Sequence, residues 1–185
     1  MVDTYKDFKE LSDTESEGTD YQIDFQDRGT DFAIIGIHGG EIEPDTEAVV
    51  RNIAGADLSY YIFLSNAERQ HITSINFDES RCINLIAKSK GVVSIHGKNG
   101  EGEFVMLGGL DQNLISKTKN ALTKLGFEVR PTTSTVMGID PRNVCNRGAS
   151  GQGLQIEMSR QLRKALVQDS QKMMRFSGII REAIQ

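Results

Sequence analysis

One stretch decides the fold of this chain, and it reads Ile34-Ile35-Gly36-Ile37-His38-Gly39-Gly40-Glu41. A continuous apolar run of this length is typical of a strand that is buried on both faces. The run stops at His38, and two glycines then allow a tight turn before Glu41. Because open α/β sheets bind ligands beyond the carboxyl ends of their strands, we expect His38 and Glu41 to lie in a binding loop. A histidine and a carboxylate at this spacing can share a metal ion, although the same pattern also occurs in purely structural turns.

A second stretch repeats the Ile-His-Gly pattern, and it reads Gly91-Val92-Val93-Ser94-Ile95-His96-Gly97. Helical patterns lie between the two stretches, so that right-handed crossovers between parallel strands are the natural connection. If the two strands are parallel and close neighbours, His38 and His96 lie at the same edge of one sheet.

Further strands and helices complete an α/β pattern. Strands are predicted at about 21–25, 60–64, 104–107, 127–129 and 154–157, and helices begin near Pro44, at Asp78 and at Asp111. We predict a single domain over 1–185, with one open, mostly parallel or mixed twisted sheet and helices on both faces. The polar residues 1–20 are expected to form a solvated or mobile lead-in, and 168–185 a terminal helix that packs on the body.

The composition excludes several classes of protein. With 185 residues, 38% hydrophobic and 25% charged, the chain fits one soluble domain with a real core. The net charge of -5 and the absence of a dense basic run argue against a nucleic-acid partner. No apolar segment reaches membrane-spanning length, and the first residues have no signal-peptide pattern, so we expect synthesis in the cytoplasm. Cys82 and Cys145 form no Cys-x-x-Cys motif, and Cys82 is interpreted as a packing residue rather than a reactive thiol.

Two imidazoles and one carboxylate form the predicted metal site. His38, Glu41 and His96, with water as the fourth ligand, match the open arrangement of hydrolytic zinc. Zinc of this kind lowers the pKa of water to about 7 and polarises a scissile carbonyl. A second carboxylate is then needed to move protons, and Glu157, at the end of a short strand, is our candidate general base. The alternative for Glu157 is a carboxylate that merely favours the start of the next helix.

Arginines near the predicted site suit a substrate that carries carboxylates, because a guanidinium binds a carboxylate through two parallel hydrogen bonds. Arg142 and Arg147 lie in a glycine-rich loop just before the strand of Glu157, and this loop lacks the spacing of a phosphate-binding motif. Arg142 fits a solvated loop charge equally well. His71 either contacts the substrate or has no role in the site.

Taken together, these motifs resemble the phage-type poly-γ-glutamate hydrolase family. The resemblance rests on 31–44, on His71-Ile72-Thr73-Ser74 with Asn76-Phe77-Asp78, on 93–97, on Asn146-Arg147-Gly148 and on 153–157. It extends in order from about residue 21 to 164.

This resemblance implies a fold similar to that of the zinc carboxypeptidases, and one zinc ion held by His38, Glu41 and His96. It also implies that Glu157 acts as general base and that γ-glutamyl amide bonds of poly-γ-glutamate are cleaved, usually at internal positions. The pair Asn146-Arg147 is similar to the Asn-Arg pair that binds the substrate carboxylate in carboxypeptidases, although here it follows the second histidine rather than preceding it.

Other functions stay open at the level of sequence. They are a zinc peptidase or amidase that acts on another acyl-amino acid or cell-wall peptide, and a metal-stabilised protein that binds polyglutamate without cleaving it. A redox sensor that uses the two cysteines is a more distant alternative. We expect a monomer without a membrane partner, which reaches a capsule polymer after lysis of the host.

Overall fold

The computed structural model describes residues 3–133 and 137–185. Its strands are β1 (Tyr21–Gln26), β2 (Phe32–Gly40), β3 (Ser59–Ser65), β4 (Gly91–Lys98), β5 (Phe104–Gly109), β6 (Glu128–Val129) and β7 (Gly153–Ser159). Its helices are α1 (Phe8–Ser12), α2 (Thr46–Ala54), α3 (Ser80–Lys88), α4 (Gln112–Lys124), α5 (Arg160–Gln168) and α6 (Ser170–Ala183). Short 3₁₀ turns lie at Glu68–Gln70 and Val144–Asn146.

The seven strands form one open, mixed sheet in the order β1-β3-β2-β4-β7-β5-β6. The central strands β3, β2, β4 and β7 are parallel to one another. Strand β1 pairs antiparallel with β3 at one side, and β5 pairs antiparallel with β7 at the other. The predicted fold class is therefore confirmed, and the two strands that end in Ile-His-Gly are parallel neighbours.

Hydrophobic cores lie on both faces of the sheet because successive residues of a strand point to opposite sides. Ile34 packs in the core that helices α2, α4, α5 and α6 cover, whereas Ile35 packs in the core beneath α1 and α3. Helix α6 buries Met173, Phe176 and Ile180 in the larger core.

Side chains cap five of the six described helices at their amino-terminal ends, and α2 is the exception. Asp111 caps α4 as predicted, since its carboxylate accepts a hydrogen bond from the backbone N–H of Leu114. The predicted cap at Asp78 is wrong, because Glu79 caps α3 by accepting from the N–H of Cys82 at 3.0 Å. Asp78 instead accepts from the N–H of Phe8 at 2.8 Å and so ties the amino-terminal segment to the body.

The amino-terminal segment exposes most of its side chains between residues 12 and 19, but a few residues anchor it to the body. Helix α1 buries Leu11 fully, and the carboxylate of Glu15 is buried between Tyr5, Arg69 and Gln70. The carboxylate of Glu15 thus has specific partners that its polar surroundings in the sequence did not indicate. The first two residues of the predicted lead-in lie outside the described residues.

No helix within residues 3–133 and 137–185 is long and apolar enough to cross a membrane. Cys82 and Cys145 are both buried and unpaired as thiols. Burial raises the pKa of Cys82 well above its ordinary range and that of Cys145 to about 12. Both cysteines are thus packing residues, which agrees with the sequence interpretation of Cys82.

Candidate metal centre and cleft

The carboxyl ends of β2 and β4 bring two buried histidines together. The strands pair in parallel from Phe32↔Gly91 to Ile35↔Ser94, and the pairing ends before His38 and His96. In the space beyond, the Nδ1 atoms of His38 and His96 lie 3.2 Å apart. Both side chains are almost completely buried, at 3% relative exposure each. The predicted meeting of the two histidines at one sheet edge is therefore found.

The outer nitrogen of each ring is held by a neighbouring group. His38 Nε2 lies 2.9 Å from the carbonyl oxygen of Ile72, which can only accept, so this nitrogen carries the proton. His96 Nε2 lies 2.8 Å from the hydroxyl of Ser94 on the same strand. Such outer partners fix the ring orientation and the tautomer of metal-binding histidines. In the neutral state, His38 therefore directs the lone pair of Nδ1 at His96.

The carboxylate between the two histidines belongs to Glu43, not to Glu41. Glu43 Oε1 lies 3.3 Å from His38 Nδ1, and Oε2 lies 3.5 Å from His96 Nδ1. The side chain of Glu41 is exposed. The prediction of Glu41 beside the histidines is corrected to Glu43.

Loop geometry explains the correction. Strand β2 continues through Gly40, whose φ of 72° redirects the backbone, and the N–H of Glu41 pairs with the carbonyl of Ser65 on β3. The chain then folds back, since the N–H of Glu43 donates to the carbonyl of His38 at 2.8 Å. The turn therefore closes five residues after the histidine rather than three.

Two further contacts hold Glu43 in place. The backbone N–H of Gly97 donates to Glu43 Oε2 at 2.8 Å. The buried guanidinium of Arg163 donates to the carbonyl of Pro44 at 2.8 Å and to that of Met158 at 2.7 Å. The loop of Glu43 is thereby tied to β4 and to the end of β7.

The chemistry and spacing of these three side chains fit zinc. His38, Glu43 and His96 each offer one ligand atom, and these atoms all lie within 4.8 Å of one another. Two nitrogens bound tetrahedrally to one zinc ion lie about 3.3 Å apart, because each Zn–N bond is about 2.0–2.1 Å long. The separation of 3.2 Å between the Nδ1 atoms matches this value. Two imidazoles and one carboxylate are also a ligand set of catalytic zinc, which keeps one position open.

Ionisation in this cluster is coupled. Burial alone would raise the pKa of Glu43, but the charges and hydrogen bonds of His38 and His96 outweigh it and hold that pKa well below its usual range. Burial likewise acts to lower the pKa of His96, but the hydrogen bond and charge of Glu43, with the charge of Glu157, raise it. The centre is thus built around an ionised carboxylate that attracts positive charge.

Glu157 lies next to this centre on the adjacent strand. In the parallel pairing of β4 with β7, His96 is the register partner of Glu157. Its carboxylate is buried, and burial raises its pKa despite the opposing charge of His96. Gln155 donates from Nε2 to Glu157 Oε1 at 2.9 Å, and Asn143 donates to Gln155 Oε1 at 2.9 Å. A chain of amides therefore orients the carboxylate.

A cleft of about 650 Å³ opens in front of these residues. His71 lines it and stacks on His38, with ring centroids 4.3 Å apart. His71 Nδ1 lies 2.7 Å from Asp3 Oδ1, while Asp3 Oδ2 accepts from the N–H of Thr73. The amino-terminal segment therefore orients a histidine at the wall of the cleft. Burial and the charge of His38 lower the pKa of His71.

Three predicted substrate-binding residues are not among those that line the cleft. Arg142 is exposed and paired with Asp140, with Arg142 Nη2 2.7 Å from Asp140 Oδ2. Arg147 donates from Nη2 to the carbonyl of Phe77, and burial lowers its pKa. Asn146 is buried and donates to the carbonyls of Gly138 and Asp140, so it supports the wall of the cleft from behind.

An open α/β sheet with two imidazoles, a carboxylate and a second buried glutamate at its edge is typical of a metal-dependent hydrolase. Residues 5–177 match the model of the poly-gamma-glutamate hydrolase family. The chain belongs to this family, which is a family of enzymes. It is also 34% identical to the UPF0714 protein YmaC of Bacillus subtilis (strain 168) over 174 residues, which are 90% of this chain and 73% of YmaC.

Two solved structures share the whole fold. A bacteriophage poly-gamma-glutamate hydrolase superposes with a TM-score of 0.92 at 27% sequence identity, covering 98% of this chain and 96% of the other. A zinc-free apo structure of YNDL also gives a TM-score of 0.92, at 28% identity, covering 99% of this chain and 98% of that one.

Sequence reasoning missed Glu43 as well as the amide chain of Gln155 and Asn143. A signal for Glu43 exists in the sequence, since Pro44 restricts the preceding residue to an extended backbone and so limits where its side chain can point. The alternation of β7 places Gln155 on the same face as Glu157, which is a signal for Gln155. Asn143 lies in an irregular loop and has no comparable signal.

Proposed function

We propose that the chain is a zinc-dependent hydrolase that cleaves γ-glutamyl amide bonds of poly-γ-glutamate. His38, Glu43 and His96 are the proposed ligands of one zinc ion, and Glu157 is the proposed general base. The observation that carries the proposal is the convergence of the three ligand atoms within 4.8 Å. Membership of the family and the names of the structural relatives support the substrate and the metal.

The zinc ion, when bound, supplies a Lewis acid that polarises the scissile carbonyl and lowers the pKa of water to about 7. Glu43 brings a full negative charge to the ligand set, and the carbonyl of Ile72 and the hydroxyl of Ser94 hold the two imidazoles with Nδ1 inward. These residues keep the site assembled before substrate arrives.

Glu157 moves the proton in the proposed reaction. It accepts a proton from the water that attacks the scissile carbonyl, so that a C–O bond forms at the carbonyl carbon. It then donates this proton to the amide nitrogen as the C–N bond breaks, which releases a carboxylate and an amine. A glutamate whose pKa is raised by burial is suited to this exchange near neutral pH. Because Gln155 donates a hydrogen bond to Oε1 of Glu157, the proton is taken up by Oε2 of Glu157.

His71 is the proposed contact to the substrate at the wall of the cleft. Asp3 holds its Nδ1, and the ring stacks on His38, so the imidazole has a fixed position. Its place in the cleft lining supports a contact to a substrate carboxylate or amide. We further propose that the polymer is met as a capsule component, outside the cell after host lysis.

A metal-depletion experiment tests the proposed function. Protein treated with a chelator should bind about one equivalent of zinc, and the reconstituted protein should lower the molar mass of poly-γ-glutamate in size-exclusion chromatography. Glu157→Gln should bind zinc equally well and leave the polymer intact. Tight zinc binding without any loss of molar mass in the wild type would instead support a metal-stabilised binding protein.

A further inference from the structure

One lysine reaches the cleft, and it comes from the strand of His96. Lys98 is the only lysine or arginine among the described residues that line the cleft. Strand β4 stays in register with β7 through Lys98↔Ser159, so Lys98 lies on the same strand face as Ser94 and His96. Its ammonium has no ion pair or hydrogen bond with any residue in 3–133 or 137–185.

Lys98 lies close to the proposed metal ligand His96 along the strand. Two residues along a strand span about 6.6 Å, which separates Lys98 from His96. In a γ-linked chain, the α-carboxylate on the leaving side is only three bonds from the scissile carbonyl carbon. The side chain of Lys98 is therefore long enough to reach this carboxylate from a position on the strand next to the proposed ligand His96.

The charge of Lys98 also acts on Glu157. Lys98 lies on the same sheet face as Glu157, two residues along the register beyond the pair His96↔Glu157, and its charge acts to lower the pKa of Glu157 against the larger effect of burial. Glu157 is the proposed donor of the proton to the leaving nitrogen. Lys98 is therefore placed near the part of the substrate that carries the leaving nitrogen.

The chemistry of the γ linkage puts a carboxylate at that place. In a γ-linked glutamate, the free carboxylate is on the carbon that is bonded to the amide nitrogen. In an α-linked glutamate, the same carbon carries the next amide, and the free carboxylate is at the end of the side chain. A cation beside the leaving nitrogen thus distinguishes the two linkages.

We propose that Lys98 binds the α-carboxylate of the glutamate on the leaving side of the scissile bond, and so selects γ-linked over α-linked chains. This inference rests on the proposed function, because it assigns the substrate contact of the same site. It gives Lys98 the role that the sequence assigned to Arg142 and Arg147, neither of which lines the cleft.

The test compares matched substrates. One is a γ-linked glutamate hexamer, and the other is the same hexamer with one internal α-carboxylate converted to a carboxamide. Mass spectrometry follows cleavage of the amide bond formed by the nitrogen of that residue. The proteins are the wild type, Lys98→Met, Lys98→Arg and the control Lys117→Met, whose lysine is exposed on α4.

For the unmodified hexamer, kcat/KM should fall 10- to 100-fold in Lys98→Met, a loss expected for one charge-assisted contact. For the wild type, kcat/KM should be lower by a similar factor with the carboxamide hexamer than with the unmodified hexamer. For Lys98→Met, the two hexamers should differ by less than about 3-fold, because this variant has already lost the contact. Lys98→Arg should recover part of the rate. Zinc content and thermal unfolding should match the wild type in each variant, and Lys117→Met should cleave normally.

Equal rates for Lys98→Met and Lys117→Met would overturn the inference, as would an equal carboxamide effect in the wild type and Lys98→Met. If the wild type cleaves no substrate, the proposed hydrolase function fails by itself. In that case, calorimetry measures the affinity of the unmodified hexamer for the single variant Glu157→Gln and for the double variant that carries Glu157→Gln and Lys98→Met. A 10-fold or larger weakening in the double variant supports the inference, whereas equal affinity or no binding in either protein rejects it.

Discussion

His38 and His96 face each other through Nδ1 at 3.2 Å, while the Nε2 of His38 is fixed as a donor by the carbonyl of Ile72. Because the hydroxyl of Ser94 can donate to His96 Nε2, a neutral His96 can carry its proton on Nδ1 and donate it to His38 Nδ1. A metal cation would take the place of this proton between the two rings, and Glu43 would supply the balancing negative charge. The two rings and the carboxylate thus have the geometry of a cation site.

Zinc affinity should depend on Glu43 and not on Glu41. We expect Glu43→Ala to weaken zinc binding by at least about 100-fold, since loss of an outer-shell partner alone typically costs 10- to 100-fold. Glu41→Ala is the matched control, because this side chain is exposed two residues earlier in the same loop. Competition with a fluorescent zinc chelator measures the zinc dissociation constants of both variants. Loss of affinity in Glu41→Ala together with normal affinity in Glu43→Ala would restore the assignment made from the sequence.

The metal-free protein should become less stable as the pH rises above about 6.5. The folded-state pKa of His96 is raised above its ordinary value of 6.5, because the effects of Glu43 and Glu157 outweigh that of burial. Its protonated form therefore contributes stability that is complete below 6.5 and is lost as the pH rises through the folded-state pKa. Glu43 has a lowered pKa, so its contribution is present above 4.5 and stays constant in this range.

Urea unfolding between pH 5.5 and 9 in the presence of a chelator measures how the free energy of unfolding depends on pH. Because a single proton is involved, this free energy can change by at most about 1.4 kcal/mol per pH unit. His96→Asn should remove this pH dependence. With zinc present, stability should instead rise with pH, because metal binding requires deprotonated ligands and becomes stronger as the pH rises. A metal-free protein whose stability rises from pH 6.5 to 8 would contradict the described ionisation of the centre.

Gly97 should be intolerant of a side chain. An added Cβ would come too close to Arg163 Nη1 and would lie 2.9 Å from Glu43 Cβ, so the loop that holds Glu43 would have to move. We expect Gly97→Ala to weaken zinc binding about 10-fold or more and to lower the thermal midpoint. Gly178→Ala is the control, since nothing lies within 4 Å of its added Cβ on helix α6, where alanine is favoured by up to about 1 kcal/mol. Similar zinc affinity in both variants would show that the loop is not held in this way.

Gln155 should affect turnover more than metal binding. Its amide donates to Glu157 Oε1, so Gln155→Met should leave the general base poorly oriented and lower kcat about 10-fold or more, within the range of general-base effects. Zinc content should stay at the wild-type level, and KM should change little. A variant that loses zinc but retains kcat per bound metal would place Gln155 in the support of the metal centre instead.

The sequence predicts the parts of the site that depend on strand periodicity. The Ile-His-Gly repeat locates His38 and His96 because parallel strands end at one edge, and the alternation of β7 directs Glu157 away from the larger core. It does not predict Glu43, because the fold-back of that loop depends on contacts with Gly97 and Arg163, which are distant in the chain. The directions of Arg147 and Asn146 depend in the same way on Phe77 and Gly138.

The most direct test of the account is a zinc titration of metal-free protein with the cleavage of poly-γ-glutamate as the readout. We predict that the rate of chain cleavage rises from near zero and reaches a plateau at about one equivalent of zinc, and that Glu43→Ala shows no such rise at that equivalent. Cleavage at the full rate in the absence of zinc, or full recovery of Glu43→Ala at one equivalent, would contradict the assignment of His38, Glu43 and His96 as the metal centre.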